Sequence, residues 1–203
     1  LRNYIITLPP PTVPDVIDIS GDLMHGPVPY DKRSLESIDT IVIHHSAVSP
    51  DVEGVAIARY HVQTRGWPGI GYHFVVNRDG LVWQTNPLEN MSYHVKGHNA
   101  NTIGVCLLGC FTDGKEPTEE QLAPTRSLIA TLREHLGSLG VVGHQDLVPT
   151  RCPGDTWEIW KKRLAGESDE EYQRLLAEVA FLREENDRLA GLLEQIEKTA
   201  GKR

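Results

Sequence analysis

Apolar positions along this chain change their period repeatedly between about residues 38 and 164, and each change marks an element. Thr40 to His45 is a short β-branched apolar run that predicts a buried strand. Val52 to Thr64 reads as a helix ending near Gly66. Gly71 to Asn77 and Leu81 to Gln84 read as two strands joined by Arg78-Asp79-Gly80, whose Asp-Gly pair suits a hairpin turn. Thr102 to Leu108 is a further buried strand. Thr118 and Gln121 form a capping-box start for a helix running to Gly137, which Pro124 should kink if it lies beyond the first turn. A short apolar run at Val141-Val142-Gly143 and a short helix over Trp157 to Leu164 complete the stretch. Alternating strands and helices predict an α/β domain over residues 37–164, with a mixed central sheet flanked by helices.

The two flanks follow other patterns. Residues 1–36 hold two proline clusters, Leu8-Pro9-Pro10-Pro11 and Gly26-Pro27-Val28-Pro29, around Val16-Ile17-Asp18-Ile19. Proline at that density blocks helices and favours extended chain, so this stretch reads as a Pro-rich arm lying on the next domain, or as a linker. In residues 167–203, Ser168 and Glu171 make a second capping box. Beyond it, Tyr172, Leu175, Val179, Leu182, Asn186, Leu189, Leu193, Ile196 and Ala200 alternate spacings of three and four, a heptad seam. Asn186 falls at an a position, where paired Asn side chains satisfy one another in a parallel two-stranded coil. The expectation is a C-terminal coiled-coil helix that makes a homodimer. Phe181 and Leu192 add apolar surface off the seam, which keeps open a helix folded back on its own domain.

Composition narrows the functional classes. With 203 residues, 39% hydrophobic and 24% charged, the chain can bury an ordinary core. No run approaches the roughly 18 apolar residues of a membrane span. A net charge of -8 argues against nucleic acid as partner, because phosphate contacts need clustered Lys and Arg. Three cysteines are too few and too unevenly placed for a disulfide framework. The chain starts at Leu1 with no charged-then-apolar leader, so a leader or a preceding module is expected to have been removed or left out.

Candidate chemistry lies in a few of the nine histidines. His44-His45 closes a strand, where side chains reach a sheet edge. His144 follows another apolar run, and Cys152 stands eight residues further on across a loop with Pro149 and Pro153. Two imidazoles and a thiolate suit Zn2+, and three protein ligands with one open position make a catalytic rather than a structural arrangement. Spacing alone leaves open whether Cys152 is a ligand, a buried inert thiol, or the nucleophile of a thiol hydrolase. Cys106 falls in a buried strand as a small apolar residue.

Five segments in this order carry a resemblance: Ile41-Val42-Ile43-His44-His45-Ser46-Ala47, Gly71-Tyr72-His73-Phe74, His94-Val95-Lys96-Gly97-His98-Asn99, Ile103-Gly104-Val105, and Gly143-His144-Gln145-Asp146 through Cys152-Pro153-Gly154. Residues 38–162 thereby resemble the zinc N-acetylmuramoyl-L-alanine amidases, which include phage lysozyme-type enzymes and animal peptidoglycan recognition proteins. The resemblance implies an amidase fold and hydrolysis of the amide between N-acetylmuramic acid and L-alanine in bacterial peptidoglycan. It implies a zinc cofactor on His44, His144 and Cys152, with Tyr72 assisting the reaction at the metal. Thr150 stands where some members carry Lys, so a cation for developing negative charge is missing there. His45 should point to the opposite face of its strand and serve as a negative control. Trp67, His94 and Asn99 are candidates for substrate contact, on the ground that sugars and stem peptides are held by aromatic faces and a few polar groups. Trp67 could equally pack the helix end, and Asn99 could be a turn residue. The rival reading from another class is a recognition module that binds peptidoglycan without cutting. The expected place of action is the cell envelope or outside the cell, including release by a phage at lysis; cytoplasmic recycling of wall fragments stays open.

Overall fold

Six strands form one sheet in the order β1-β4-β3-β5-β2-β6. In the computed structural model these are β1 (Val16–Asp18), β2 (Thr40–His45), β3 (Phe74–Val76), β4 (Val82–Gln84), β5 (Thr102–Leu107) and β6 (Gly140–Gly143), with helices α1 (Gly54–Gln63), α2 (Glu119–Leu136), α3 (His144–Leu147) and α4 (Trp157–Ala165). The structure describes residues 16–49 and 54–165, together with residues 181, 185, 188, 189 and 191. The chain divides into two units, Leu1–Ala165 and Gly166–Arg203. The heptad seam expected in the second unit lies, apart from Leu189, outside the described residues.

β2 runs parallel to both of its neighbours, β5 and β6, and β3 is parallel to β5. β4 turns back antiparallel to β3, and β1 follows β4 in parallel. The sheet is therefore mixed. Its period-2 alternation sorts side chains onto two faces. Ile41, Ile43, Ile103, Val105, Leu107, Phe74 and Val76 pack with Leu122, Leu128, Ile129 and Leu132 of α2 and with Trp157 and Trp160 of α4. On the other face Val75 and Cys106 meet Ile57 and Ala58 of α1, with Tyr72 beside them. Cys106 is wholly buried there, as expected for a small apolar residue in a strand.

Among the elements read from the sequence, the start of β3 departs clearly from its signal. The strand expected from Gly71 starts only at Phe74. The reason is the Tyr72 carbonyl, which accepts from Thr85 Oγ1 and Asn86 Nδ2, both at 2.9 Å, and so turns this stretch away from regular strand pairing. Pro124 lies inside α2 beyond its first turn, and the helix continues through it. Proline removes the helical donor to the Glu120 carbonyl, and that oxygen lies against the β3–β4 turn at Gly80. The capping box at Thr118 and Gln121 and the stop at Gly137 stand where the sequence puts them.

The stretch before β2 is joined to the domain by specific bonds. β1 pairs with β4, and Tyr30, buried, donates to the Ile70 carbonyl at 2.6 Å. Arg33 donates to the carbonyls of Leu88 (2.8 Å), Asn99 (2.9 Å) and Thr102 (2.6 Å). Burial lowers its pKa to about 10, which still leaves it protonated at neutral pH. One cation thus ties the whole loop between β4 and β5, the loop that carries His94 and Asn99.

Candidate metal centre

Three chain segments converge at one end of the sheet. His44 is the fifth residue of β2, and its register partner on β5 is Cys106, so parity puts it on the α1 face. His144 follows directly on β6 as the first residue of α3. Cys152 comes from the loop after α3, and that loop is tied back to the helix by the Gln145 N–H, which donates to the Cys152 carbonyl at 2.8 Å. The turn from β6 into α3 is pinned by Asp146, whose carboxylate accepts from the Gly143 N–H and from Trp157 Nε1, both at 2.8 Å. Gly143 permits this approach, since a Cβ there would meet the Trp157 ring at 2.7 Å.

The result is a cluster in which one donor atom from each of His44, His144 and Cys152 lies within 4.8 Å of the others. Cys152 Sγ stands 3.6 Å from His44 Nδ1, and the His44 and His144 ring centroids are 4.6 Å apart. The His45 backbone N–H donates to Cys152 Sγ at 3.4 Å. Thr150 is exposed, and its Oγ1 accepts from the Cys152 N–H at 3.2 Å, which holds the ligand loop from outside. The His45 ring leaves on the opposite face, where its Nδ1 accepts from the Phe111 N–H at 3.1 Å. Parity therefore separates the adjacent histidines as the alternation of a strand requires.

Burial controls the charge of these groups. It holds His44 well below the ordinary imidazole pKa, with His94, His144 and His45 adding to the effect, and it lowers His144 as well. Burial also pushes the Cys152 thiol up to about 12, against the pull of the His45 N–H. Two imidazoles with free lone pairs and a thiol that gains from a cation nearby make a donor set of the borderline-soft kind. That set fits Zn2+, and three donors leave a fourth position open.

Tyr72 closes one side. It is partly buried, and its ring centroid is 5.2 Å from that of His44. Burial, then the Cys106 and Cys152 thiols, drive its hydroxyl well above the ordinary phenol value, so it remains a proton donor at neutral pH. Beside the cluster opens a groove of about 770 Å³ whose lining includes Trp67, Tyr93, His94, Asn99, His144 and Val148. Trp67 stacks near His61, at 4.6 Å between centroids, with the Arg65 guanidinium 5.3 Å over its ring. Asn99 Oδ1 accepts from the His94 and Val95 N–H groups at 3.2 and 2.8 Å, the work of a turn residue. His94 is buried with both ring nitrogens near protein partners. Sequence reasoning missed Tyr93, Val148 and Arg33. Tyr93 adjoins a motif residue and could have been found, whereas a single arginine in a Pro-rich stretch carries no periodic signal.

The sequence pattern described as N-acetylmuramoyl-L-alanine amidase matches residues 34–155. The endolysin of Escherichia phage T7 is 36% identical over 143 residues, covering 68% of this chain and 95% of that protein. The human N-acetylmuramoyl-L-alanine amidase is 38% identical over 104 residues, 49% of this chain and 18% of its own length. Among solved structures, the endolysin amidase LysCS from Clostridium intestinale is 25% identical with a TM-score of 0.63, covering 75% of this chain and 97% of that one. With more than half of the chain matched and the phage endolysin covered almost end to end, the chain belongs to the N-acetylmuramoyl-L-alanine amidase family and acts as an amidase on peptidoglycan.

Proposed function

We propose that the chain is a zinc-dependent hydrolase of the amide between N-acetylmuramic acid and L-alanine, with His44, His144 and Cys152 as the metal ligands. The observation that supports this most is the approach of the three donor atoms to within 4.8 Å at the edge of a groove. A zinc ion held by these three residues would supply Lewis acidity and would lower the pKa of water toward neutral, so that hydroxide is available near neutral pH.

The chain's own residues do the rest. Tyr72, kept protonated, donates a hydrogen bond to the oxygen on which negative charge develops. Thr150 steadies the Cys152 loop through the bond to its N–H, and its exposed hydroxyl side can orient water or substrate without supplying a charge. Trp67 gives the groove a flat aromatic wall suited to a sugar or a stem peptide, and Asn99 holds the opposite turn in shape. Action on the cell wall after release by a phage at lysis is the setting we propose, since the relatives covered almost end to end are phage endolysins. No helix among the described residues is long and apolar enough to cross a membrane.

The test is release of peptides with new L-alanine amino termini from purified peptidoglycan. The protein as isolated should release them, Cys152→Ser and chelator-treated protein should not, and added zinc should restore the treated sample. Activity that survives a strong chelator but is lost on thiol alkylation would instead make Cys152 a nucleophile. Wall binding without release under any condition would leave a recognition module.

A further inference from the structure

Behind His44 runs a chain of hydrogen bonds whose proton order can be read from its far end. Thr102 Oγ1 donates to the His98 carbonyl at 2.6 Å. A carbonyl only accepts, and a hydroxyl has one proton, so toward His94 Nε2, 3.1 Å away, Oγ1 offers only a lone pair. His94 Nε2 must therefore carry a proton, and the Thr102 carbonyl at 3.4 Å is a second acceptor for it. His94 is buried with no carboxylate among its hydrogen-bond partners, so nothing there compensates a second ring proton; a neutral imidazole has a single N–H, and His94 Nδ1 is an acceptor. That nitrogen lies 3.1 Å from His44 Nε2, which must supply the proton between them. His44 is buried as well, and with its single N–H on Nε2 its Nδ1 is left bare, the atom 3.6 Å from Cys152 Sγ.

The relay is built into the fold at each joint. A Cβ on Gly104 would come within 2.7 Å of His94 Cγ, so β5 makes room for the His94 ring with a glycine. Asn99 Oδ1 holds the His94 backbone, and Arg33 holds the carbonyls of Asn99 and Thr102. Both His94 nitrogens face protein partners, which leaves neither for a sugar or stem peptide.

We propose that His94 is a positioning residue: through it, Thr102 and the His98 carbonyl fix His44 in the Nε2–H tautomer and aim its Nδ1 lone pair into the His44–His144–Cys152 cluster. This rests on the metal-ligand reading above. Ligand histidines whose other nitrogen is held in this way bind metal more tightly, and loss of such a partner typically weakens binding by about 10- to 100-fold.

Two measurements decide it. In metal-free protein at neutral pH, 15N chemical shifts of the His44 ring should show the proton on Nε2; a proton on Nδ1 would overturn the proposal. Zinc affinity, measured by competition with a fluorescent chelator, should fall about 10- to 100-fold in His94→Phe and recover most of that loss in His94→Gln, whose amide oxygen can accept from His44. At saturating zinc, KM for a soluble muramoyl peptide should stay near the native value. A folded His94→Phe with native zinc affinity and a raised KM would make His94 a substrate contact and sink the relay. If His94→Phe fails to fold, the tautomer measured in the wild-type protein still decides between the two. Native protein that binds no zinc would refute the metal site itself, a distinct outcome that the metal-free tautomer measurement does not depend on.

Discussion

Tyr72 and the histidine pair at 44 and 45 show how far a single position can be argued from its surroundings. A phenol beside two thiols and partly withdrawn from water gains nothing by ionising, so Tyr72 is suited to donate and not to act as a base. Tyr72→Phe is expected to lower kcat by about 100- to 1,000-fold, the usual effect of removing one oxyanion donor, with zinc content unchanged. Metal analysis alongside steady-state kinetics checks it, and loss of zinc in the variant would mean that Tyr72 supports the ligands instead. For the adjacent histidines the expectations diverge. His44→Ala should lose stoichiometric zinc. His45→Ala should keep zinc but lose about 1–3 kcal/mol of stability, because the buried Phe111 N–H loses its acceptor. Metal content and urea unfolding of the two variants separate these outcomes. Strand alternation made this division legible in the sequence, since neighbours in β2 have to face opposite ways. The His94 relay was not legible, because it depends on a tautomer set by the Thr102 hydroxyl at the start of β5 and by the His98 carbonyl in a loop that has no repeating pattern.

Strands, helices and caps were readable wherever periodicity or capping chemistry decides, as in β2, β5, the Thr118 cap and the Gly137 stop. They were misread where side chains compete for backbone groups. Thr85 and Asn86 take the Tyr72 carbonyl, so β3 begins later than its apolar run suggests. The loop between β4 and β5 was read through its motif alone, yet its shape rests on Arg33 and His73. His73 Nδ1 accepts from the Gly104 N–H at 3.0 Å, which puts the ring proton on Nε2 facing the Asn90 carbonyl at 2.9 Å. Ser92 Oγ lies 3.1 Å from Nδ1, the Arg33 guanidinium 2.9 Å from Nε2, and the His94 ring 5.9 Å away. Burial first, and the Arg33 charge second, lower the His73 pKa to about 3. An unfolded histidine titrates near 6.5, so between about 6.5 and 3 the unfolded chain binds the proton that the folded one refuses. This contribution to stability is complete above pH 6.5 and is lost as pH falls toward 3. Urea unfolding of metal-free protein should show a loss from this residue on the order of 1–2 kcal/mol between pH 6.5 and 5. In His73→Asn the fall over that window should be smaller by this amount, and an unchanged pH slope would locate the acid sensitivity elsewhere.

At the scale of the whole chain, the stretch before β2 and the heptad segment bear on the amidase domain in different ways. The described part of the first, residues 16–39, contributes a strand, the buried Tyr30 and the Arg33 clamp, so trimming that part changes the catalytic unit. The second falls within the second compact unit, Gly166–Arg203. Between Leu175 and Ile196 the seam is Leu, Val and Ile interrupted by a single Asn at an a position, a pattern that favours a parallel pair of helices at some cost in stability. We propose that this segment pairs two chains and that the pairing would serve avidity. Two catalytic units joined on one insoluble polymer rebind locally, so apparent affinity for intact wall rises without any new contact in the groove. Deleting residues 166–203 is therefore expected to turn a sedimenting dimer into a monomer. It should weaken retention on intact peptidoglycan severalfold and leave kcat/KM on a soluble muramoyl peptide unchanged. Sedimentation equilibrium, wall pull-down and the soluble assay on the same two proteins make the comparison. A deletion that abolishes turnover of the soluble substrate would show that the heptad segment supports the catalytic unit itself. A full chain that sediments as a monomer would return the seam to the other reading, a helix lying against its own domain.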